Sequence, residues 1–206
     1  MRFRDGKFSS YTAKDGLSDD AILSVYEDRE GSLWVGTRKG GVNRLKPGKF
    51  SVYSHKDGLS DDMVRPTYED REGSLWIGTA AGLDRLKDGR FKTFTTRDGL
   101  AGNTVVALEQ DQAGNLWIGT SGGLNRMRAG QFLTYTTKDG LSDNNVLSIR
   151  ASSDGSGWVG TASGLNRFRD GRLTSYTSRT DCPTTASGRC WRTGLETSGS
   201  APTEAD

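Results

Sequence analysis

The strongest constraint on this chain of 206 residues is an internal repeat. Four tryptophans lie 42, 41 and 41 residues apart, and each stands in the local sequence W-V/I-G-T, followed by glycine and then N/D-R. They are Trp34, Trp76, Trp117 and Trp158. The triplet DGL recurs with the same spacing and begins at Asp15, Asp57, Asp98 and Asp139. Self-similarity at a fixed period of this length indicates a repeat architecture.

Each repeat unit has the composition of a set of short strands. The first unit contains the runs AILSVYED, LWVGT, GVNRL and FSVYS, separated by Gly, Asp, Asn or Pro-Gly. Such β-branched and aromatic runs between turn residues are typical of antiparallel strands. A glycine three residues before each tryptophan, such as Gly31, supplies the positive φ that a hairpin turn needs. Four strands repeated in this way predict the blades of a β-propeller, with the tryptophans packed between blades.

The predicted fold is therefore all-β, a propeller-type array of four four-stranded blades with one extra strand near Phe8 to Tyr11. The array covers residues 1–179, with blades at about 12–53, 54–94, 95–135 and 136–177. Pro66 falls in the first strand of the second unit and cannot donate to a ladder, which favours an innermost first strand. An open array would expose apolar blade faces at both ends, so we expect self-association through them.

The combined motif DGLSDDAILSVYEDREGSLWVGT…GGVNRL resembles the two-component regulator propeller repeat. The resemblance covers about residues 1 to 179. It implies a seven-bladed propeller in the sensor region of a bacterial hybrid two-component regulator, and a parent protein that is periplasmic and joined to a membrane-spanning histidine kinase or other transmitter. It also implies a sensory function, with an oligosaccharide or other small ligand as the expected partner.

The repeat pattern ends at Arg179, where another DGL would begin. Residues 180–206 are rich in Thr, Ser, Gly and Pro, so we predict a disordered tail. Cys182 and Cys190 lie in it and serve neither as a disulfide framework nor as a metal cluster. When codons are chosen freely for the tail and read two bases later, DGL and L-W-I-G-T reappear in register. We therefore interpret the tail as a frameshifted fifth repeat and expect the chain to be a fragment.

The charge pattern argues against nucleic acid as a partner, and the hydropathy pattern indicates neither a signal peptide nor a membrane span. The formal net charge of +2 comes from 28 basic and 26 acidic residues that are interspersed, so no basic face for nucleic acid is predicted. The N-terminal sequence has no apolar stretch typical of a signal peptide, and no run approaches the length of a membrane span.

The predicted topology places the DGLSDD connections and the GTxxG loops on one face of the array, around its axis. Carboxylates, amides and two cations on that face form a candidate ligand-binding ring for a sugar or peptide. The alternative is that DGLSDD recurs because the crossover between blades needs a turn there. The ring residues are Asp19, Asp20, Arg38, Lys39, Asp61, Asp62, Asn103, Asp143 and Asn144.

Catalytic chemistry is not indicated by any motif. The single histidine, His55, is expected in an outer strand as a solvated residue without a repeated carboxylate partner. The acidic EDREG turns lack the alternating oxygen ligands of a calcium loop, so neither a metal site nor a cofactor is predicted. A non-catalytic sensory module is the leading hypothesis; a protein-interaction scaffold and a propeller lyase or hydrolase are the alternatives.

Overall fold

The protein is described here from a computed structural model that covers residues 2–4, 6–46, 49–152, 154–169 and 172–178. The predicted tail at residues 180–206 lies outside these described residues, as do both cysteines. In the described part of the chain, no helix is long and apolar enough to cross a membrane.

The described residues form one two-stranded hairpin and four antiparallel sheets of four strands each, in chain order. The hairpin consists of β1 (Arg2–Arg4) and β2 (Lys7–Ser9). The first blade consists of β3 (Ile22–Glu27), β4 (Leu33–Thr37), β5 (Val42–Lys46) and β6 (Lys49–Tyr53). The second consists of β7 (Val64–Glu69), β8 (Leu75–Thr79), β9 (Leu83–Lys87) and β10 (Arg90–Phe94). The third consists of β11 (Val105–Gln110), β12 (Leu116–Thr120), β13 (Gly123–Arg128) and β14 (Gln131–Tyr135). The fourth consists of β15 (Val146–Ala151), β16 (Gly157–Thr161), β17 (Gly164–Arg169) and β18 (Arg172–Tyr176).

The prediction of an all-β array of four four-stranded blades is confirmed. The N-terminal segment differs in detail, because it forms two strands rather than one and Tyr11 lies outside both. Gly6, with φ of 73°, allows the tight turn between β1 and β2. In the four blades, the turn between the first and second strands, three residues before each tryptophan, also has a glycine with φ between 75° and 82°.

Neighbouring blades contact each other mainly through their first strands, and through the second strand of one blade against the first strand of the next. The first strand is therefore the innermost, as predicted. Pairing of β7 with β8 is interrupted between Val64 and Thr67, so the missing N–H of Pro66 costs no ladder hydrogen bond. The glycine of W-V/I-G-T permits the close approach, because a Cβ at Gly78 would lie 2.7 Å from Val105 Cγ1 of the next blade.

The tryptophans anchor the contacts between blades, as predicted. Trp34 packs in one cluster with Leu75 and Ile77 of the second blade. Trp76 packs with residues of the third blade, and Trp117 with residues of the fourth. Three separate cores therefore lie between blades, and burial of a blade's apolar faces depends on its neighbours.

The array is open, because its two end blades do not cover each other. Ile22 on the first blade is 40% exposed, whereas its equivalent Val64 is fully buried. Leu165 on the fourth blade is 44% exposed, whereas its equivalent Leu124 is fully buried.

Four single-turn 3-10 helices link the blades to the segments that precede them. They contain the first residues of the DGL motifs and span Ala13–Asp15, His55–Asp57, Thr96–Asp98 and Thr137–Asp139.

Candidate binding face

The DGLSDD connections and GTxxG loops lie on the same side of the array, here called the crossover face. Within each blade the two kinds of segment are hydrogen-bonded: the Lys39 N–H donates to Asp19 Oδ2 at 2.9 Å. In the third blade the Ser121 N–H donates to the carbonyl of Thr104 at 3.1 Å. The EDREG turns lie at the opposite ends of the strands, here called the turn face.

Each 3-10 turn carries a capping box that the DGL motif completes. In the first unit the Asp15 Oδ2 accepts hydrogen bonds from the N–H and the hydroxyl of Thr12, at 2.8 and 3.0 Å. Gly16 then ends the turn with φ of 106°. The same box recurs in all four units. The Ser/Thr-x-x-Asp-Gly signature is visible in the sequence and accounts for the constancy of DGL on structural grounds.

Four of the predicted ring residues cap these turns. Each accepts a hydrogen bond through its Oδ1 from the first N–H of the turn, seven residues earlier, at 2.7 to 2.8 Å. They are Asp20, Asp62, Asn103 and Asn144. A free N–H at a helix start is satisfied by such a side chain, so Asp or Asn at this position has a structural role that does not depend on a ligand.

Three more ring residues hold the entry to the first strand. Asp19, Asp61 and Asp143 each accept through Oδ1 from the N–H two residues later, at 2.7 to 3.0 Å. This side-chain turn is a common role of aspartate in loops. Hydrogen bonds from the Ser163 hydroxyl and the Asn145 N–H hold the pKa of Asp143 below its usual value.

Arg38 and Lys39 differ from the rest of the ring. They lie in the GTRKGG loop between β4 and β5, and both are exposed. Their side chains have no hydrogen-bond or ion-pair partner among the described residues. The structure thus separates the nine predicted residues into seven whose side chains serve the local fold and two cations whose side chains make no hydrogen bond or ion pair within the described residues.

His55 lies in a 3-10 turn and not in an outer strand, and it has a carboxylate partner that was not expected. Its Nδ1 lies 2.6 Å from Asp62 Oδ2, and its side chain is 59% exposed. Asp62 also caps the same turn through Oδ1. The pair therefore joins the 3-10 turn to the connection that follows it, and it lies on the crossover face. Within the described residues, no group of three or more His, Cys, Asp or Glu side chains is arranged to hold a metal ion.

In the third strand of each blade, a buried polar residue forms hydrogen bonds with the connection on the crossover face. Asn43 accepts from the Ser18 N–H at 2.9 Å and donates to the Ser18 hydroxyl at 2.7 Å. Asn125 and Asn166 make equivalent bonds, whereas the second blade has Asp84 there. Sequence reasoning assigned these residues no role, although the repeated N/D-R dipeptide marks them.

The aspartate of each EDREG turn has a structural role on the turn face. Asp28 accepts from the Trp34 indole Nε1 at 2.8 Å and from the Ser32 N–H at 2.7 Å. Burial opposes ionisation of Asp28, but the hydrogen bonds from Trp34 and Ser32 outweigh it and lower its pKa. These acidic turns therefore orient the tryptophans.

Four antiparallel sheets of four strands, one after another along the chain, define the class of protein. It is a β-propeller-type repeat array. Three segments of the chain, residues 16–39, 58–81 and 99–122, match the family model described as "Two component regulator propeller". Each segment runs from a DGL motif into a GTxxG loop. The chain therefore carries two-component regulator propeller repeats.

Solved structures with a similar fold include extracellular domains of bacterial proteins. One is the extracellular domain of a protein described as a hybrid two component system from B. thetaiotaomicron, with a TM-score of 0.73 and 28% identity over 89% of this chain and 26% of that one. A second, the extracellular domain of a one component system from the same organism, has a TM-score of 0.66 and 23% identity over 78% of this chain and 25% of that one.

Enzymes share the fold at lower identity. Virginiamycin B lyase from Staphylococcus aureus has a TM-score of 0.64 and 16% identity over 79% of this chain and 57% of the lyase. At this identity, and at the 23% of the second extracellular domain, the likeness shows the fold alone. The chain spans about a quarter of the length of the two extracellular domains. A search of curated protein sequences gave no significant match.

Proposed function

We propose that this chain is a non-catalytic, ligand-binding propeller module from the sensor region of a two-component regulator. The observation that carries the proposal is the presence of three matched regulator propeller repeats in a chain that resembles such an extracellular domain over 89% of its length. In the parent protein, the module would lie in the periplasm and pass its signal to a membrane-spanning histidine kinase or other transmitter.

We place the ligand on the crossover face, with an oligosaccharide as its class. Sugar hydroxyls both donate and accept hydrogen bonds, so they need donors and acceptors on the protein. Arg38 and Lys39 offer donors that the fold does not use. Asp20 and Asp61 each use one carboxylate oxygen within the chain and keep the second without a partner among the described residues.

Separate pairs of substitutions distinguish binding from folding. Asp61→Ala with Asp62→Ala removes candidate ligand contacts but also removes a turn cap. Arg38→Ala with Lys39→Ala removes only side chains that make no hydrogen bond in the described structure. The matched control is Lys49→Ala with Arg90→Ala, because these exposed cations lie at the turn face and removing them gives the same change in net charge.

The measurement is calorimetric titration with oligosaccharides selected on a glycan array, with circular dichroism to verify folding. We expect the Arg38 and Lys39 double variant to weaken binding at least tenfold and the control pair to leave it unchanged. Equal weakening by the Arg38 and Lys39 variant and by the Lys49 and Arg90 control would place the ligand elsewhere. Binding to proteins alone would support the scaffold function instead.

A catalytic role is tested through the His55–Asp62 pair, because it is a histidine–carboxylate contact exposed on the same face. We expect no turnover of bound oligosaccharide by the chain. Turnover that His55→Ala abolishes, with binding retained, would overturn the non-catalytic assignment.

A further inference from the structure

Charge is distributed unevenly over the strands of each blade. The third and fourth strands carry three, four, two and three basic residues in the first to fourth blade, and one acidic residue, the fully buried Asp84. The first and second strands of the four blades together carry two basic residues and three acidic ones. The fold therefore separates charges that are interspersed in the sequence, and it places the cations on the outer pair of strands.

Many of these cations lie at the turn that joins the third strand to the fourth, here called the outer tip of a blade. Each tip lies on the turn face, at its outer edge. In three blades the residues that flank the tip on either side are both basic and lie directly opposite each other. They are Lys46 and Lys49, Lys87 and Arg90, and Arg169 and Arg172. Like charges directly opposite each other destabilise a strand pair, so the stability of the sheet does not account for them.

Most cations at the tips have no partner in the described part of the chain. Lys46 has one, because its Nζ lies 3.3 Å from Glu30 Oε2. Asp88 lies in the second tip, but its φ of 50° is typical of Asp in a two-residue hairpin turn, so the turn accounts for it. Five tip cations have side chains that make neither an ion pair nor a hydrogen bond with described residues. They are Lys49, Lys87, Arg90, Arg128 and Arg172.

We propose that the outer tips bind an acidic polysaccharide, a linear sugar chain that carries carboxylates. Ammonium and guanidinium groups both form charge-assisted hydrogen bonds with carboxylates. Tips on neighbouring blades belong to different sheets, and packed sheets lie about 10 Å apart, so a small anion reaches one tip whereas a polymer contacts several. The tips and the crossover face lie at opposite ends of the strands, and the inference does not rest on the proposed function.

Two other polyanions fit the tips less well. An anionic membrane against the turn face would also meet the acidic EDREG turns, which lie on the inner part of that face. Single-stranded nucleic acid needs aromatic rings on which its bases stack. Phe50, Phe91 and Phe132 follow the first three tips, but they are half-buried and each packs against another aromatic ring of the chain. A polysaccharide that follows the outer edge needs neither a flat face nor a stacking ring.

Two triple variants with the same loss of positive charge test the proposal. The tip variant changes three cations of the two internal blades, Lys87→Gln, Arg90→Gln and Arg128→Gln. The control variant changes three exposed lysines on the 3-10 turns of the crossover face, Lys14→Gln, Lys56→Gln and Lys138→Gln. The tip variant removes one like-charge pair, so its urea midpoint should equal or exceed that of the unmodified chain. A lower midpoint would assign the cations to stability and overturn the proposal.

The measurement is biolayer interferometry of the full chain on immobilised polygalacturonate, at low and at physiological salt. We expect the unmodified chain and the control variant to bind alike, more weakly as salt rises, and the tip variant to lose at least tenfold in affinity. The proposal is overturned if the unmodified chain does not bind, if both variants lose affinity equally, or if single-stranded DNA or phosphatidylglycerol vesicles bind more tightly than polygalacturonate.

The same measurement separates the tips from the crossover face. Lys49→Ala with Arg90→Ala should leave a crossover-face ligand unaffected but should weaken binding to polygalacturonate. The proposed function therefore stands or fails independently of binding at the tips. Polygalacturonate binding that is unchanged by the loss of Lys49 and Arg90, and also by the tip variant, would exclude the tips as its site.

Discussion

The second and fourth blades have the same four-strand layout but are packed differently. In the second blade, Asp70 accepts from the Trp76 indole at 2.7 Å, and Leu75 contributes to the core against the first blade. The fourth blade has Ser152 and Gly157 at these two positions. Trp158 Nε1 accordingly has no hydrogen-bond partner in the described part of the chain.

In the fourth blade, a larger residue on the adjacent strand compensates for the missing leucine. Phe168 occupies the position of Leu86, and its ring centroid lies 4.6 Å from that of Trp117 in edge-to-face contact. A cavity of about 20 Å³ remains beside Gly157, lined also by Trp117 and Val159. The volume between blades is thus shared by residues on two strands, so that a loss on one strand can be partly offset on the other.

The largest difference in stability between the second and fourth blades is expected when the tryptophan of each is replaced. Trp76 is 3% exposed and lies in the core between the second and third blades, so Trp76→Ala should cost about 3–5 kcal/mol of unfolding free energy. Trp158 is only half-buried on the open trailing face, and Trp158→Ala should cost less than half as much. Urea unfolding followed by circular dichroism checks both values. Equal losses would mean that the fourth blade is as tightly packed as the second.

A smaller effect is expected from the aspartate that binds the indole. Asp70→Ala removes the acceptor of the Trp76 Nε1–H and the Ser74 N–H, both in buried surroundings, and should cost about 2–3 kcal/mol. The reciprocal change, Ser152→Asp, supplies a partner for Trp158 and should stabilise the fourth blade by about 1 kcal/mol. Urea midpoints of the two variants measure both effects. A destabilising Ser152→Asp would show that the fourth-blade turn cannot orient the carboxylate.

A third change concerns the buried polar position of the third strand, which is Asp84 in the second blade and Asn166 in the fourth. Burial raises the pKa of Asp84 above its ordinary value of 3.8, and the hydrogen bonds from Ser60 and Thr93 only partly oppose this. The folded state then holds the proton more tightly than the unfolded state. Its contribution to stability is fully present below about pH 3.8 and is lost as pH rises through the folded pKa.

Asp84→Asn removes this dependence. The amide of Asn166 donates to the carbonyl of Val159 at 3.1 Å, a bond that an ionised Asp84 cannot make to its own second strand. We expect Asp84→Asn to stabilise the protein at pH 7 by about 1 kcal/mol and to have little effect at pH 3.5. Urea unfolding at both pH values is the measurement, and Asn166→Asp is the reciprocal control, expected to destabilise at pH 7. An effect of equal size at both pH values would exclude titration of Asp84 as its cause.

The fold could be predicted almost completely from the sequence, because the repeat makes every strand visible four times. The prediction of one extra N-terminal strand was incomplete, since two strands of three residues each show little alternation of their own. The predicted topology indicated which face carries the candidate site, but the sequence did not predict the hydrogen bonds that the carboxylates of that face make within the chain. Asp20 accepts from the N–H of Ala13, and Asp62 contacts His55; both contacts depend on how the 3-10 turn folds back over the following connection.

The smallest effect tests the cavity of the fourth blade directly. A Cβ at Gly157 would lie 3.7 Å from the carbonyl oxygen of Arg150, an ordinary contact, so Gly157→Ala should fit without displacing a neighbour. Glycine in the middle of a strand costs roughly 0.5–1 kcal/mol relative to alanine, and Gly157 is the first residue of β16, so we expect stabilisation at or below the lower end of that range as the added methyl group enters space next to Trp117. Gly78→Ala in the second blade is the control, because its Cβ would lie 2.6 Å from Pro66 Cγ and should destabilise. Differential scanning calorimetry of both variants should therefore show shifts of opposite sign, and a lowered melting temperature for Gly157→Ala would mean that Phe168 already uses the space.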